Sequence, residues 1–475
     1  MLRSLQGRLL EPRDAASLAA FRFLFGAILS LSSVRFLLNG WVERFYTQPT
    51  FFFKYWGFEW VRVLPEPWMT AAFVAMAVLA AFVAIGFLYR FSIVALFLLF
   101  TYVELIDVTN YLNHYYLVSL LAFLMCFLPL HRAYSVDAWL RPDRFAPVVP
   151  AWVLYLMRFQ IGVVYFYAGI AKLQPDWLLH AQPLGIWLAA RTEAPLIGAL
   201  LTWPAMPHIM SWAGFLNDTL VVPFLLWRRT RPYAFATVVF FHFCTHLLFV
   251  IGVFPFLMVS GATLFFEPDW PRRLLARFRA GSGAASAPRP DATPAAITET
   301  AGRWSTLGAA LVGAYCMIQA LMPLRAYLYP GDVLWHEQGM RYSWRVMVRE
   351  KNGSIRYRVR WRGAEREVQV PPSRYLTSHQ EREMSGQPDL ILQLARRIAG
   401  DYESLGHEDV EVRVDALVSL NGRRAAPIID PDADLAHEPD TLAVMHWIAP
   451  SPPGEPLPAY PEARRLVAES KRAAR

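Results

Sequence analysis

Long apolar runs are the feature that most limits how this chain can fold. A membrane-spanning helix needs about 20 mainly apolar residues, and the first two thirds of the 475-residue chain contain a succession of such runs. Only 18% of the residues are charged, against about 25% in an ordinary soluble domain, and the deficit lies in this first part. The sequence therefore predicts a polytopic α-helical membrane domain that carries a C-terminal domain outside the membrane.

Nine runs are apolar enough to be interpreted as spans, although three of them are short and eight spans is the alternative. The first run is longer than the apolar core of a signal peptide and no small-residue cleavage site is clear after it, so we expect it to be retained. The predicted spans are residues 17–38, 68–89, 91–108, 112–130, 150–173, 211–227, 233–252, 253–267 and 304–322.

Basic residues between the spans indicate the orientation, because short cytoplasmic loops are enriched in arginine and lysine. With a cytoplasmic N-terminus and nine spans, every basic cluster falls on the cytoplasmic side and the chain after Pro323 lies in the periplasm or lumen. The net charge of +8 is then a topology signal, and a nucleic-acid partner is excluded. The residues concerned are Arg3, Arg8, Arg13, Arg90, Arg132, Arg141, Arg144, Arg228, Arg229, Arg231, Arg272, Arg273, Arg277 and Arg279.

Two domains are predicted. Residues 1–323 form the multi-span membrane domain, in which residues 281–300 are rich in Gly, Ala, Ser and Pro and resemble a flexible cytoplasmic linker. Residues 324–475 form a β-rich periplasmic or lumenal domain, because apolar and polar residues alternate there. Its predicted elements are strands over 342–348, 355–361, 365–370 and 410–420, a helix over 388–402, a hairpin turn at Asn352-Gly353 and a turn at Asn421-Gly422.

Lys172 is the strongest candidate for chemistry. Ionisable residues within a membrane are energetically costly, so each is first interpreted as a functional candidate. Lys172 lies at the exterior end of the fifth predicted span, in a chain whose 46 basic residues include only four lysines. Lysine, unlike arginine, can lose its proton when it is desolvated and can then act as a base. The alternative is an interfacial lysine beside Asp176 that extends towards the membrane surface.

His114 is the second candidate. With Asn113 it opens the fourth predicted span, at the same exterior level as Lys172 and shortly after Glu104 and Asp107. Two spans considered independently thus bring a histidine and a lysine to one membrane face. The alternative is an interfacial histidine whose hydrogen bonds are satisfied locally.

The remaining histidines and cysteines do not predict a metal site. His242 and His246 stand four residues apart on the seventh span, a spacing found in zinc sites, but the 11 histidines are scattered and no metal-binding motif is present. A pair that packs between helices is the favoured interpretation. Cys126, Cys244 and Cys316 lie inside apolar runs and are predicted to be buried and unpaired.

Seven segments resemble the vitamin K-dependent gamma-glutamyl carboxylases, in the same order along the chain. The resemblance implies a membrane domain joined to a β-rich lumenal domain. It also implies a reaction in which O2 converts reduced vitamin K, a hydroquinone, to its epoxide while CO2 carboxylates glutamate in a peptide or protein substrate, with no metal. The segments are residues 111–117, 131–137, 168–177, 329–335, 341–347, 387–392 and 415–423.

The resemblance also implies roles for particular residues. A γ-carbon proton of glutamate is too weakly acidic for a side-chain base, so the family converts oxidation energy into base strength. Lys172 matches the family's base for the hydroquinone, and His114 matches the histidine that acts on the glutamyl substrate or its carbanion. The residues implied to bind quinone or substrate are Asn113, Tyr165, Phe254, Ser343 and Met347.

The chain also departs from the animal members. Its C-terminus follows soon after residues 415–423, and its exterior domain contains no cysteine. The arginine-rich composition and short loops are typical of a bacterial member. Two alternatives therefore stay open: a hydroquinone epoxidase without carboxylation, and a non-catalytic membrane protein that binds quinone or lipid.

Overall fold

The computed structural model describes residues 7–195, 197–249, 251–281 and 306–457. Each of the nine predicted spans coincides with a helix in these residues, and the structure adds a short basic helix, α9, after the eighth. The predicted linker lies almost entirely outside the described residues. The helices are α1 Ala16–Leu38, α2 Trp68–Ile85, α3 Tyr89–Ile106, α4 Asn113–Phe127, α5 Ala151–Lys172, α6 Met206–Leu226, α7 Arg231–Leu248, α8 Phe254–Ala262, α9 Trp270–Gly281 and α10 Thr306–Leu321.

Six helices in the described part are long and apolar enough to cross a membrane, namely α1, α2, α3, α5, α6, and α10 with its continuation to Leu328. Helix α4 and the segment Phe254–Phe265 are apolar but shorter. The protein is therefore a multi-pass integral membrane protein. Shorter turns connect the helices: Glu43–Thr47, Val108–Asn110, Val136–Leu140, Pro142–Arg144, Pro175–Leu178, Leu184–Ala189, Gly198–Leu201, Thr263–Phe265 and Met322–Leu328.

Small residues allow the first helices to pack closely. Gly26 of α1 lies against the backbone of α2, where an added Cβ would come within 2.5 Å of the Ala80 carbonyl oxygen. Buried Arg22 donates hydrogen bonds to the carbonyls of Leu130 and Tyr134, at 2.7 and 2.6 Å, and so holds the loop after α4 against α1. Small residues such as Gly26 are typical of close helix contacts in membranes. A charged residue such as Arg22 needs hydrogen-bond partners when it is buried there.

The C-terminal part contains a four-stranded antiparallel sheet in the order β4-β3-β5-β6. Helix α12 packs against it through an apolar face that includes Leu390, Leu394 and Ile398, all fully buried. A separate two-stranded pair, β1 with β2, joins the start of α1 to the start of α5. The elements are β1 Pro12–Asp14, β2 Val148–Pro150, β3 Lys351–Arg360, β4 Val368–Val370, β5 Glu411–Leu420, β6 Ala426–Pro427, α11 Ser378–Met384, α12 Pro388–Ser404, and the short helices Val333–His336 and Pro372–Arg374.

The structure confirms the predicted helix at 388–402, the strand at 410–420 and the turn at Asn421-Gly422, whose φ angles are +50° and +84°. The predicted hairpin turn at Asn352-Gly353 is wrong, because both residues lie within β3, opposite Ser419 and Val418 of β5. Gly353 is required there for a close approach, since an added Cβ would lie 2.5 Å from the Ser385 carbonyl oxygen.

The predicted strand over 342–348 is also wrong. This segment is an irregular loop in which Tyr342, Trp344 and Met347 have positive φ angles of 64°, 57° and 54°. Residues with such angles cannot continue a β-ladder. The alternation of apolar residues there reflects instead a loop that is buried between the sheet domain and the membrane helices.

Candidate functional site

Lys172 is the last residue of α5, and its side chain is only 5% exposed. Its Nζ donates to Oδ2 of Asp218 on α6 at 2.8 Å and to the Ala168 carbonyl at 3.3 Å. The two helices come together because Gly169 has no side chain, since an added Cβ would lie 2.7 Å from Oγ1 of Thr219. A glycine one turn below thus brings the Lys172 amine to the carboxyl group of Asp218.

Trp177 forms one side of the site around the amine. Lys172 Nζ lies 5.2 Å from the centroid of its ring, within the range of a cation–π contact. The indole N–H donates to the Ser211 carbonyl of α6 at 2.8 Å, and the Ser211 hydroxyl donates to the Trp177 carbonyl. These two bonds fix the ring and hold the turn after α5 against α6.

The Lys172–Asp218 pair lines a cavity that we call the lysine pocket, with about 650 Å³ of empty space including its open side. Four of the predicted site residues line it: Lys172, Tyr165, Phe254 and Met347. Its other walls are almost entirely apolar and come from α5, α6, α7, α8 and the 342–348 loop. These walls include Val164, Met210, Phe241, Phe249, Ile251, Met258 and Val346.

His114 is buried beside this pocket but does not line it. Its ring centroid lies 5.9 Å from that of Phe254 and 4.6 Å from that of Tyr115. The imidazole Nε2 faces Gly252, where an added Cβ would come within 3.5 Å. Phe254 therefore stands between His114 and the lysine pocket, and Gly252 packs beside the imidazole.

The two remaining predicted residues, Asn113 and Ser343, make hydrogen bonds outside the lysine pocket. Asn113 accepts a hydrogen bond from the Tyr111 hydroxyl at 3.2 Å, and Tyr111 in turn accepts one from the Tyr342 amide at 2.9 Å. Ser343 is buried and donates to the Met340 carbonyl. Both side chains anchor the loop that closes the pocket, and neither is among the residues that line it.

Asp176 does not pair with Lys172 in the described structure. It accepts two hydrogen bonds from the Arg423 guanidinium, at 2.6 and 2.7 Å, and one from Asn421 at 2.9 Å. Burial by itself favours the neutral acid, but the hydrogen bonds from Arg423 and Asn421 outweigh it and hold the pKa of Asp176 below its usual range. The interpretation of Lys172 as an interfacial partner of Asp176 is therefore wrong.

Asp218 and His242 are the pocket residues that the sequence analysis missed or set aside. An aspartate within an apolar span is itself a signal, and Asp218 carries that signal. His242 Nε2 lies 3.1 Å from the Tyr165 hydroxyl and its ring lines the pocket, whereas His246 packs edge-on against Phe256, so the two histidines do not face one ligand. Within the described residues no group of three or more His, Cys, Asp or Glu side chains could hold a metal ion.

Fold and site together define a multi-pass membrane protein in which a buried lysine–aspartate pair lines an apolar pocket beneath a sheet domain. The HTTM domain family matches residues 10–270, more than half of the chain. The lumenal domain of vitamin K-dependent gamma-carboxylases matches residues 304–453.

The chain belongs to the vitamin K-dependent gamma-carboxylase family. The second match also supports a lumenal or periplasmic position for the C-terminal part, as the basic loops predicted. No solved structure matches the chain.

Proposed function

We propose that this protein couples the oxygenation of reduced vitamin K to its epoxide with the carboxylation of glutamate in a peptide or protein. The observation that carries the proposal is the Lys172 amine, which is buried against Asp218 at 2.8 Å in an apolar pocket. Vitamin K hydroquinone supplies, when bound, a phenolic proton and a ring that O2 can oxidise. The family membership supports the same reaction.

The residues present fit a flat naphthoquinol ring. Phe241, Phe254 and Met258 offer apolar surfaces, and Met347 closes the side towards the sheet domain. Apolar walls with a few convergent polar groups are typical of small-molecule sites. The bilayer provides the route for such a lipid-soluble ligand.

Lys172 is proposed to take the phenolic proton at Nζ, with Asp218 as the partner of the resulting ammonium. Two groups at 2.8 Å can share one proton, and the apolar walls strengthen that interaction because they exclude water. The Trp177 ring restricts the amine to the pocket. The general-base contribution of such a residue is commonly about 10²–10⁴-fold in rate.

His114 is proposed to act on the glutamyl substrate, with Asn113 beside it. The imidazole is buried against Phe254 and Gly252, so a glutamyl side chain would reach it only when this contact opens. To lose its proton, the glutamyl γ-carbon would have to reach the oxygenated ring directly, at the boundary that Phe254 forms between His114 and the lysine pocket.

In the test, the purified protein in lipid is incubated with vitamin K hydroquinone, O2, labelled bicarbonate and a glutamate-containing peptide. Epoxide and labelled peptide are then measured in the same sample. We expect both products from the wild type, neither from Lys172→Ala, and epoxide without labelled peptide from His114→Ala. Epoxide alone from the wild type would replace the proposal with a hydroquinone epoxidase. Hydroquinone binding without either product would replace it with a non-catalytic quinone carrier.

A further inference from the structure

A second, larger cavity is bordered by α4, which does not line the lysine pocket. It contains about 2230 Å³ of empty space, including its open side, between α3, α4, α5 and α10. We call it the lateral cavity. It extends from Trp152 and Phe127, near the predicted cytoplasmic ends of α5 and α4, to Tyr55 and Tyr342 at the exterior side. It therefore spans most of the predicted depth of the membrane.

Helix α10 forms the outer wall of this cavity and packs loosely on the rest of the protein. Only 11% of the residues in its most apolar stretch are buried. It is attached to α5 by the Tyr315 hydroxyl, which donates to Gln160 at 2.6 Å, and by the Tyr167 hydroxyl, which donates to the Ala320 carbonyl. A helix held away from its neighbours leaves an apolar gap that chains of lipid can fill.

The exterior end of the lateral cavity carries Glu104, in the last turn of α3. In the described part of the chain its carboxyl group makes no hydrogen bond and no ion pair. It is in electrostatic range of Tyr55 and Tyr342, which line the same end. A carboxyl group in an apolar cavity ionises only when a cation lies beside it, so an ammonium group of a ligand would supply the partner that stabilises its charged form.

Four tyrosine rings surround this end of the cavity. The Tyr342 ring centroid lies 4.8 Å from that of Tyr116, 5.4 Å from that of Tyr111 and 6.4 Å from that of Tyr55. Aromatic faces beside a carboxylate form the kind of site that binds organic ammonium groups. The tyrosines and Glu104 together therefore select a cationic group.

A positive charge lies next to the same tyrosines, on the side of the C-terminal domain. Cζ of Arg325 is 5.9 Å from the Tyr342 ring centroid, and its guanidinium donates to the Arg341 carbonyl at 2.9 Å. Arg325 does not line the lateral cavity itself but borders a neighbouring pocket that shares Tyr55 and Tyr342 with it. Within the described residues it makes no ion pair, and its Nε is buried without a hydrogen bond. Guanidinium groups in this state bind phosphate well.

We propose that the lateral cavity binds a zwitterionic phospholipid, with its ammonium group at Glu104, its phosphate towards Arg325 and its acyl chains along α10. One unpaired carboxyl and one guanidinium around Tyr342 match the two charges of such a head group. An uncharged quinone could accept a hydrogen bond from Arg325 but would offer Glu104 no cation, and neither would an anionic lipid without an ammonium group. The inference does not depend on the proposed enzymatic function.

The experiment is native mass spectrometry of the full chain with equal amounts of phosphatidylethanolamine and phosphatidylglycerol. We expect the wild type to retain phosphatidylethanolamine preferentially, and Glu104→Gln to reduce the ratio of the two bound lipids about tenfold. Glu66→Gln is the matched control, because Glu66 lies on the exterior side outside the cavity and bonds only Thr70 in the described part. That control should keep the wild-type ratio.

A second variant tests the acyl part of the site. Val312→Trp fills the cavity from α10 and should reduce binding of both lipids without changing their ratio. Equal binding of the two lipids by the wild type would overturn the proposal. So would recovery of quinone alone, or a dimer in which a second copy of the chain covers the cavity.

Discussion

Two buried lysine–carboxylate pairs, one in the membrane and one in the sheet domain, have almost the same geometry. Lys172 lies 2.8 Å from Asp218, and Lys351 lies 2.8 Å from Glu337. All four side chains are at most 7% exposed, and each lysine Nζ lies within 6 Å of a tryptophan ring centroid. The ion pair alone therefore does not distinguish a functional lysine from a structural one.

The other hydrogen bonds of the two amines do distinguish them. Lys351 donates to Glu337 and also to the carbonyls of Trp335 and Gly386, at 2.5 and 2.7 Å, so that each of its three protons has an acceptor. It joins the start of β3 to two loops. An amine with all its donors in use in this way is a structural crosslink.

Lys172 has one strong acceptor, Asp218, and one long contact of 3.3 Å to the Ala168 carbonyl. The rest of its surroundings in the described structure are the Trp177 ring and the lysine pocket. This amine has capacity left for a ligand. Unfilled hydrogen-bonding capacity, together with an adjoining cavity, therefore distinguishes the lysine that is a candidate for chemistry.

The largest effect should follow from Asp218→Asn. An amide carries no negative charge to balance the ammonium that forms when Lys172 accepts a proton. We therefore expect kcat for epoxide formation to fall by at least about a hundredfold. KM for the hydroquinone should change much less, because the apolar walls remain. Steady-state kinetics of the variant, with Asp218→Glu as the conservative control that restores part of kcat, would test this.

If Asp218→Asn raised KM and left kcat unchanged, the carboxylate would serve binding only. The distinction between the two lysine pairs would then rest on position and not on proton transfer.

Lys351→Met should lower the stability of the C-terminal domain and leave kcat unchanged. It removes the donor of two carbonyls and leaves Glu337 with only the Arg349 guanidinium, at 3.1 Å. Breaking a buried pair costs about 3–5 kcal/mol. We expect this loss in the free energy of unfolding of the C-terminal domain, measured by denaturant titration in a membrane mimetic. The turnover per folded molecule should stay at the wild-type level, and a loss of kcat in fully folded protein would contradict the structural assignment.

The apolar runs predicted the membrane helices well because a span has to satisfy its hydrogen bonds locally and present apolar side chains. The strand at 410–420 and the helix at 388–402 were predictable for a different reason, because the spacing of their apolar residues is visible within each segment. Asn352-Gly353 misled the prediction because Gly353 serves a contact with Ser385, which is distant in sequence.

The candidate site was predictable only as separate residues. Lys172 could be identified from its rarity and position, but its pairing with Asp218 depends on the close contact between Gly169 and Thr219. Likewise His242 reaches Tyr165 only because α7 and α5 border one pocket. No local pattern encodes such contacts between helices.

The pH dependence of the unfolding free energy should test the environment of Lys351 in the sheet domain. Burial lowers the pKa of Lys351 from 10.5 to about 8, although Glu337 acts in the opposite direction. Between pH 8 and 10.5 the unfolded chain then binds more protons at this position than the folded chain, so its contribution to stability increases as the pH rises through that window.

We expect the wild type to gain about 1–3 kcal/mol relative to Lys351→Met between pH 8 and 10.5. The measurement is the difference between the two unfolding free energies at each pH, which removes the groups they share. A constant difference across the window would show that Lys351 keeps its proton in the folded domain.

The smallest effect should come from the ion pair that joins the C-terminal domain to the turn after α5. Arg423→Gln removes the paired hydrogen bonds to Asp176, next to the Trp177 ring that lies beside the Lys172 amine. A small displacement of that ring should lower kcat about tenfold, equivalent to about 1.4 kcal/mol, because the amine is less well positioned. Arg362→Gln, which removes an exposed ion pair with Glu408, is the control and should leave kcat unchanged. If Arg423→Gln lowered stability but not kcat, the C-terminal domain would only cover the pocket, and the Lys172 pair would function independently of it.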